Sequence, residues 1–236
     1  MCLVNAQHAR NVPGRKTDVM DCQWLQQLHS LGLLQASFRP PDQVCVVRSL
    51  MRHREYLVQS ASQPALHMEK SLDQMNLHLH HVMNDITGKT GPAILEAIFA
   101  GERNPKVLAK LRDRRIKTSE ETVAPSLEGD YRHEHLFTLQ QSLAGYRFVQ
   151  GQIAVCDEQI TALLNEFKPK VDPNERPLPP PRQRISEEEE KRDKYYRLFG
   201  VNLTLVDGIG AGTIATLLSE VGPGFSRFRF GAAMAS

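Results

Sequence analysis

The sequence predicts a mainly α-helical fold built on two long coiled-coil helices. Apolar residues recur at heptad spacing over 42–84 and again over 134–167, and this periodicity is typical of long paired helices. At the amino end, Leu3-Val4-Asn5 has the pattern of a single short strand. One strand cannot form a sheet by itself.

Composition and charge exclude several functional classes. The chain has 236 residues, 41% of them hydrophobic, and a net charge of +2 that does not by itself indicate nucleic-acid binding. Its apolar runs are far shorter than the roughly 20 residues of a membrane helix, and Met1 is not followed by a signal-peptide pattern. The four cysteines lack CxxC spacing, which argues against a cysteine zinc site or a disulfide framework. We therefore expect no membrane partner and a reducing, cytoplasmic setting.

The segment after the strand predicts a loop and then a helix. Thr17 or Asp18 can cap this helix, and Gly32 is expected to end it. Asp18 and Asp21 are three residues apart at the helix start and so share one face. Two carboxylates placed in this way can hold a divalent metal for phosphoryl transfer. The alternative is that both acids only favour the helix start through its dipole.

The first heptad seam runs from Val44 to Val82 in alternate steps of three and four residues. Eleven of its twelve positions are apolar, with Arg54 as the exception. Pro64 lies within the pattern, and a proline inside a helix removes a hydrogen bond at a cost of ~3 kcal/mol. We therefore expect a long coiled-coil helix with a kink or break near residues 60–64.

A histidine-rich stretch, His78-Leu79-His80-His81, closes this seam. His78 and His81 would share one face of a helix, as two ligands of one metal ion often do. The helical spacing provides no third ligand, and Leu79 is itself a seam position. Polar flanks of the coiled coil are therefore favoured over a metal site.

The region between the two seams contains a strongly basic segment. Residues 102–117 carry seven basic side chains against Glu102 and Asp113, a local net charge of +5. A phosphate-facing patch and a solvated surface are about equally good interpretations. The candidate nucleic-acid contacts are Arg112, Arg114, Arg115 and Lys117. A glycine motif at 87–94 is interpreted as a structural turn.

The second seam runs from Leu136 to Phe167, and eight of its ten positions are apolar. Its polar positions, Gln150 and Asp157, are expected to fix the register. The two seams can pair antiparallel within one chain, or each can pair with a second chain. A proline-rich linker then covers 168–193.

The best local motif is Val206-Asp-Gly-Ile-Gly-Ala-Gly-Thr, which looks like a helix-hairpin-helix. Glycines permit a tight turn, and amides at the start of the next helix can donate to a phosphate oxygen. The alternative is a helix corner in which the glycines serve packing alone. The candidate nucleic-acid contacts are Gly208, Ile209, Gly210, Gly212 and Thr213.

Several of these motifs, taken in order, resemble one known family. They are Asn11-Val12-Pro13-Gly14-Arg15-Lys16-Thr17-Asp18-Val19-Met20-Asp21-Cys22-Gln23-Trp24-Leu25, Gly32-Leu33-Leu34, Ala36-Ser37-Phe38-Arg39-Pro40-Pro41, Gly200-Val201-Asn202-Leu203-Thr204 and Ser226-Arg227-Phe228. Together they resemble the DEDD-type insertion-sequence transposases, the family numbered one hundred and ten. The resemblance spans nearly the whole chain.

The resemblance implies a domain organisation. It implies a carboxy-terminal remnant of an α/β RuvC-like domain over 1–39 and a helical coiled-coil region over 42–167. The proline-rich linker over 168–193 would then lead to the helix-hairpin-helix start of a serine transposase domain over 194–236.

The resemblance also implies an activity, DNA transposition by a bacterial homo-oligomer that binds DNA and a structured guide RNA. Its Mg²⁺ site would include Asp18 and Asp21, the last two acids of the Asp-Glu-Asp-Asp set. The first two acids and the serine are expected beyond the two ends of this chain. We therefore expect a truncated fragment, inactive alone, that an intact copy could complement. The alternative is a non-enzymatic coiled-coil interaction protein with a structural hairpin.

Overall fold

The computed structural model describes residues 4, 21–34, 37–83, 85–113, 115, 118–172, 174–178 and 186–225, without the side chains of Asp21 and 186–190. These residues are mainly helical, as predicted, and none of them forms a strand; Val4 makes one isolated bridge. Leu3 and Asn5, the rest of the predicted strand, lie outside the described residues. The α-helices are α1 (Asp21–Ser30), α2 (Asp42–Gln74), α3 (Thr90–Phe99), α4 (Pro105–Ala109), α5 (Glu120–Val123), α6 (His133–Asn165), α7 (Ser186–Phe199) and α8 (Ala211–Val221). The 3-10 helices are Leu79–His81, Ala124–Leu127 and Leu203–Leu205.

The chain divides into two compact units. One comprises Met1–Arg48 with Pro169–Ser236, and the other comprises Ser49–Lys168. Within the described part of the chain, no helix is both long and apolar enough to cross a membrane.

The two long helices pack against each other in antiparallel fashion within the Ser49–Lys168 unit. Near one end, the Sγ of Cys156 lies 3.5 Å from the carbonyl oxygen of Leu50. Near the other end, the Oγ of Ser71 lies 3.2 Å from the Oγ1 of Thr138. The two seams therefore face each other inside one chain, which is one of the two arrangements that the sequence allowed, although Val58 of the first seam is exposed.

A charged pair joins the seams between those two points. Arg54 donates from Nε to Oδ1 of Asp157 and from Nη2 to Oδ2 over 3.1 Å. Arg54 is the one polar position of the first seam, and Asp157 is one of the two polar positions of the second seam. These two polar side chains therefore pair with each other. Burial, followed by the nearby Asp157 carboxylate, raises the pKa of the neighbouring Cys156 thiol. Gln150, the other predicted register residue, is exposed.

Of the kink or break predicted near residues 60–64, the break does not occur, because α2 continues through Pro64 from Asp42 to Gln74. Tertiary packing outweighs the lost hydrogen bond, since Ala61 and Met68 on either side of the proline are buried. On α6, a Cβ built at Gly145 would lie 3.9 Å from the Cγ of Pro64. This is an ordinary van der Waals distance, so the proline ring packs beside the facing helix without requiring glycine there.

The prediction that the first long helix extends to residue 84 is also wrong. Asn76 adopts a φ of +58°, and the amide of Leu77 donates to the carbonyl of Leu72 over 2.9 Å. The amide of Asn76 donates to Asp73, which completes a Schellman end with asparagine in the position that glycine usually occupies. Leu79 remains buried although it lies beyond the helix. A heptad pattern therefore continued past the point where the helix stopped.

The short helices between α2 and α6 complete the core of this unit. Gly91, at the start of α3, lies directly against backbone, because a Cβ built there would overlap the carbonyl oxygen of Ile86. The motif at 87–94 is thus a packed structural turn, as predicted. The fully buried side chains of this core include Met68, Met75, Leu77, Ile94, Leu95, Ile98, Leu108, Leu127 and Leu139.

The other unit contains the first residues of α2 together with α1, α7 and α8. Helix α1 ends in a Schellman motif with Gly32 at φ +68°, as the sequence predicted. Arg48 donates from Nε to the carbonyl of Ser219 over 3.1 Å and from Nη2 to that of Glu220 over 2.6 Å. A cation at the carboxyl end of α8 satisfies its last carbonyls and favours the helix dipole.

Candidate nucleic-acid interface

The approach to α8 is a tight turn over residues 206–209. The amide of Ile209 donates to the carbonyl of Val206 over 3.1 Å, and Gly208 has a φ of +84°. A positive φ at the third position of such a turn favours glycine. Just before it, Asn202 caps the 3-10 helix by accepting from the amide of Thr204 over 3.2 Å.

Gly210 is the N-cap of α8, and its carbonyl accepts the amide of Ile214 over 3.1 Å. No side chain in the described part of the chain caps this helix end. Helix geometry leaves the amides of Ala211, Gly212 and Thr213 without an intrahelical acceptor. These amides, together with the positive end of the helix dipole, can bind an anion.

The three glycines of the turn are exposed, and their surroundings are open. Cβ atoms built at Gly208, Gly210 and Gly212 meet no atom of the described residues within 4 Å. Gly210 has φ −92° and ψ 175°, an extended conformation that any residue can adopt. Its backbone therefore does not require glycine, and the packing alternative finds no neighbour at these positions. What glycine does provide here is close access to the backbone amides.

The turn is fixed to its unit by apolar residues that follow it. Ile214 and Leu218 are buried, and Ile209 is half-buried. Thr213 is exposed beside the free amides, where its hydroxyl could reach the same anion. The structure thus brings all five predicted residues of this motif to one helix start.

In the basic segment, two of the arginines are engaged within the fold. Arg103 donates from Nη1 to the carbonyls of Ile98 and Glu102, and its guanidinium lies 4.5 Å from the ring centre of Tyr131. Arg112 is largely covered and lies 3.9 Å from a carboxylate oxygen of Glu120. These contacts support the local fold and reduce the positive charge available to a ligand.

The remaining predicted contacts of this segment divide between exposed and undescribed residues. Arg115 is 80% exposed, with its Nε 3.5 Å from Asp113. The backbone amide of Arg115 donates to the same carboxylate and, as the largest cause, lowers the pKa of Asp113. Arg114 and Lys117 lie outside the described residues. The solvated-surface interpretation accounts for most of what the structure shows of the segment.

The predicted acidic pair is only partly covered by the structure. Asp21 is the first residue of α1, whereas Asp18 and the side chain of Asp21 lie outside what the structure describes. The oxygen ligands that a Mg²⁺ ion would need here therefore belong to the part of the chain outside the described residues.

The structure does assemble a histidine cluster, for which the sequence interpretation had favoured polar flanks of the coiled coil over a metal site. His78, His80 and His81 place one ring nitrogen each within 4.8 Å of one another. The helical spacing concealed this third member, because the segment lies beyond α2 in a turn and a 3-10 helix. An Asn at a helix end followed by alternating Leu and His is the pattern that could have indicated it.

In comparisons with known proteins, no family model, curated protein or solved structure matches this chain.

Proposed function

We propose that this chain is a nucleic-acid-binding segment of a DEDD-type insertion-sequence transposase. Its helix-hairpin-helix over 206–213 would bind the phosphate backbone of DNA and of a structured guide RNA. The observation that carries the proposal is the open, glycine-lined start of α8, where uncapped amides can reach a phosphate oxygen. The resemblance of the flanking motifs to the transposase family is its second support.

Three further parts of the proposal, namely the metal site, the oligomeric state and the cellular location, rest on the resemblance alone. Asp18 and Asp21 would belong to the Mg²⁺ site, and the chain would act in a homo-oligomer in the cytoplasm. Because the two heptad seams face each other within the chain, self-association would use surfaces other than these seams.

We expect Gly212→Val to weaken binding of the whole chain to a labelled DNA duplex. The branched side chain would stand in front of the amides at the start of α8. Loss of one hydrogen bond to a charged phosphate costs about 1.5 kcal/mol, a ~10-fold drop in affinity. Fluorescence anisotropy at fixed salt, repeated across a salt series, measures both the affinity and its phosphate dependence.

Gly151→Val is the matched control, because Gly151 is an exposed helical glycine of α6 with open surroundings among the described residues. Its affinity should equal that of the wild type. Gly212 is preferable to Gly208, where the positive φ would make a bulky substitution strain the backbone. Equal affinities for all three proteins would contradict the proposal and favour the coiled-coil interaction protein. An affinity for the DNA duplex that does not change with salt concentration would also contradict phosphate binding.

We expect the isolated chain to yield no strand-exchange product with donor DNA, target DNA, guide RNA and Mg²⁺. Within residues 1–236, the resemblance assigns two acids of the family's four-acid set, Asp18 and Asp21, and no residue to the catalytic serine. A product that disappears in Asp18→Asn would show instead that the chain is sufficient for catalysis. Product formed only on mixing with an intact family member would support complementation.

A further inference from the structure

We propose that His78, His80 and His81 form a binding site for one Zn²⁺ ion, with Asp73 as the carboxylate that orients the imidazoles. The site lies where α2 ends and the 3-10 helix Leu79–His81 begins. It does not depend on the proposed function, because its residues lie on a different motif from the 206–213 hairpin.

The backbone that carries the cluster is held in place by the core. Leu77 and Leu79 are fully buried and alternate with the histidines, so the imidazoles of His78 and His80 are directed to the opposite side. The amide of His78 donates to the carbonyl of Ser126 over 3.0 Å. Such anchoring lowers the entropy that metal binding must overcome.

The donor atoms are close to the arrangement that a tetrahedral ion requires. The ring centres of His80 and His81 are 4.1 Å apart, and those of His78 and His81 are 5.5 Å apart. One nitrogen from each ring lies within 4.8 Å of the other two. Zinc–nitrogen bonds are about 2.0–2.1 Å long, so rotation of exposed imidazoles suffices to close the site.

Asp73 supplies a carboxylate that faces two of the imidazoles and can orient them, as outer-shell carboxylates do for metal-ligating histidines. Its Oδ1 lies 3.4 Å from Nδ1 of His80 and 3.8 Å from Nδ1 of His78. Nε2 of His78 pairs with Oδ1 of Asn76 at 2.9 Å, which orients that ring. Within the described residues, Nδ1 of His78 is buried and has no hydrogen-bond partner. A buried imidazole nitrogen without a partner is costly unless something binds it, and a metal ion would.

The donor set selects the metal. Imidazole nitrogens suit Zn²⁺, Cu²⁺ and Ni²⁺, whereas Mg²⁺ requires oxygen ligands. Three histidines and one water molecule would complete a tetrahedron, the coordination of zinc sites that keep one position open. His80 and His81 are exposed, which gives the ion a path to the site.

The test is Zn²⁺ titration of the purified whole chain, carrying no histidine tag, against a chromophoric chelator. We expect one tight site per chain in the wild type. His81→Ala should weaken the affinity at least ~100-fold, and Asp73→Asn about 10-fold to 100-fold, the range for groups that support metal ligands. Co²⁺ should give the strong visible absorption of a tetrahedral site in the wild type and not in His81→Ala.

His67→Ala is the matched control, because His67 is an exposed histidine of α2 outside the cluster. Its affinity should stay within about 2-fold of the wild type, since it supplies no ligand. The helical circular dichroism of every variant should equal that of the wild type, since His81 and Asp73 are exposed. Equal Zn²⁺ affinity in the wild type and His81→Ala would overturn the proposal, as would equal loss in His67→Ala. An octahedral Co²⁺ spectrum would overturn it too.

Discussion

Gly91→Ala is expected to lower the free energy of unfolding by roughly 3 kcal/mol or more, the upper range for overpacking in a core. The added methyl group would overlap the carbonyl oxygen of Ile86 and lie 2.6 Å from its carbonyl carbon. Backbone atoms cannot rotate away as the end of a side chain can. The turn before α3 would have to shift, and Thr90, whose Oγ1 accepts the amide of Asp113 over 2.9 Å, would shift with it. Urea unfolding followed by circular dichroism measures the loss.

For Gly151→Ala, the same change of glycine to alanine is expected to raise the free energy of unfolding rather than lower it. Gly151 lies inside α6, and a Cβ there meets no described atom within 4 Å. Alanine in the interior of a helix is more stable than glycine by about 0.5–1 kcal/mol, so this variant should be slightly stabilised. If both variants changed stability by the same amount, the close contact between Gly91 and Ile86 would be refuted.

Much of the fold could be predicted because heptad spacing reports which residues face a partner helix. The seams identified both 33-residue helices and even their polar exceptions, Arg54 and Asp157, which pair with each other. Spacing alone could not say where α2 ends, because Met75 and Leu79 continue the pattern and are buried outside the helix. It also allowed a break at Pro64 that does not occur, since local propensity yields to tertiary packing.

The candidate sites show the same contrast between features that local sequence predicts and features that depend on tertiary structure. The turn within 206–213 could be predicted because the positive φ at Gly208 favours glycine, and the glycine motif is visible in the local sequence. The histidine-rich stretch was identified from the sequence, but helical spacing put only His78 and His81 on one face. The left-handed conformation of Asn76 ends that helix, and the structure brings His80 close to both. The roles of Arg103 and Arg112 depend on distant partners, Tyr131 and Glu120, that no local pattern reveals.

Leu139→Ala is expected to cost about 2–5 kcal/mol of unfolding free energy, whereas Phe148→Ala on the same helix should change it by no more than about 0.5 kcal/mol. Leu139 is fully buried in the core of its unit, while Phe148 is 68% exposed although its side chain is larger. The difference between the two variants therefore measures packing on the seam rather than the size of the deleted group. Equal losses would show that α6 presents a different face to the core.

The same pair of variants separates packing within one chain from packing between chains. If the seams of α2 and α6 cover each other inside one chain, the denaturation midpoint should not depend on protein concentration, and Leu139→Ala should lower it equally at every concentration. A seam shared between two chains would instead raise the midpoint as the protein becomes more concentrated. The contacts of Ser71 with Thr138 and of Arg54 with Asp157 predict the first result. A midpoint that rises with concentration in the wild type, and no longer does so in Leu139→Ala, would contradict the intrachain pairing.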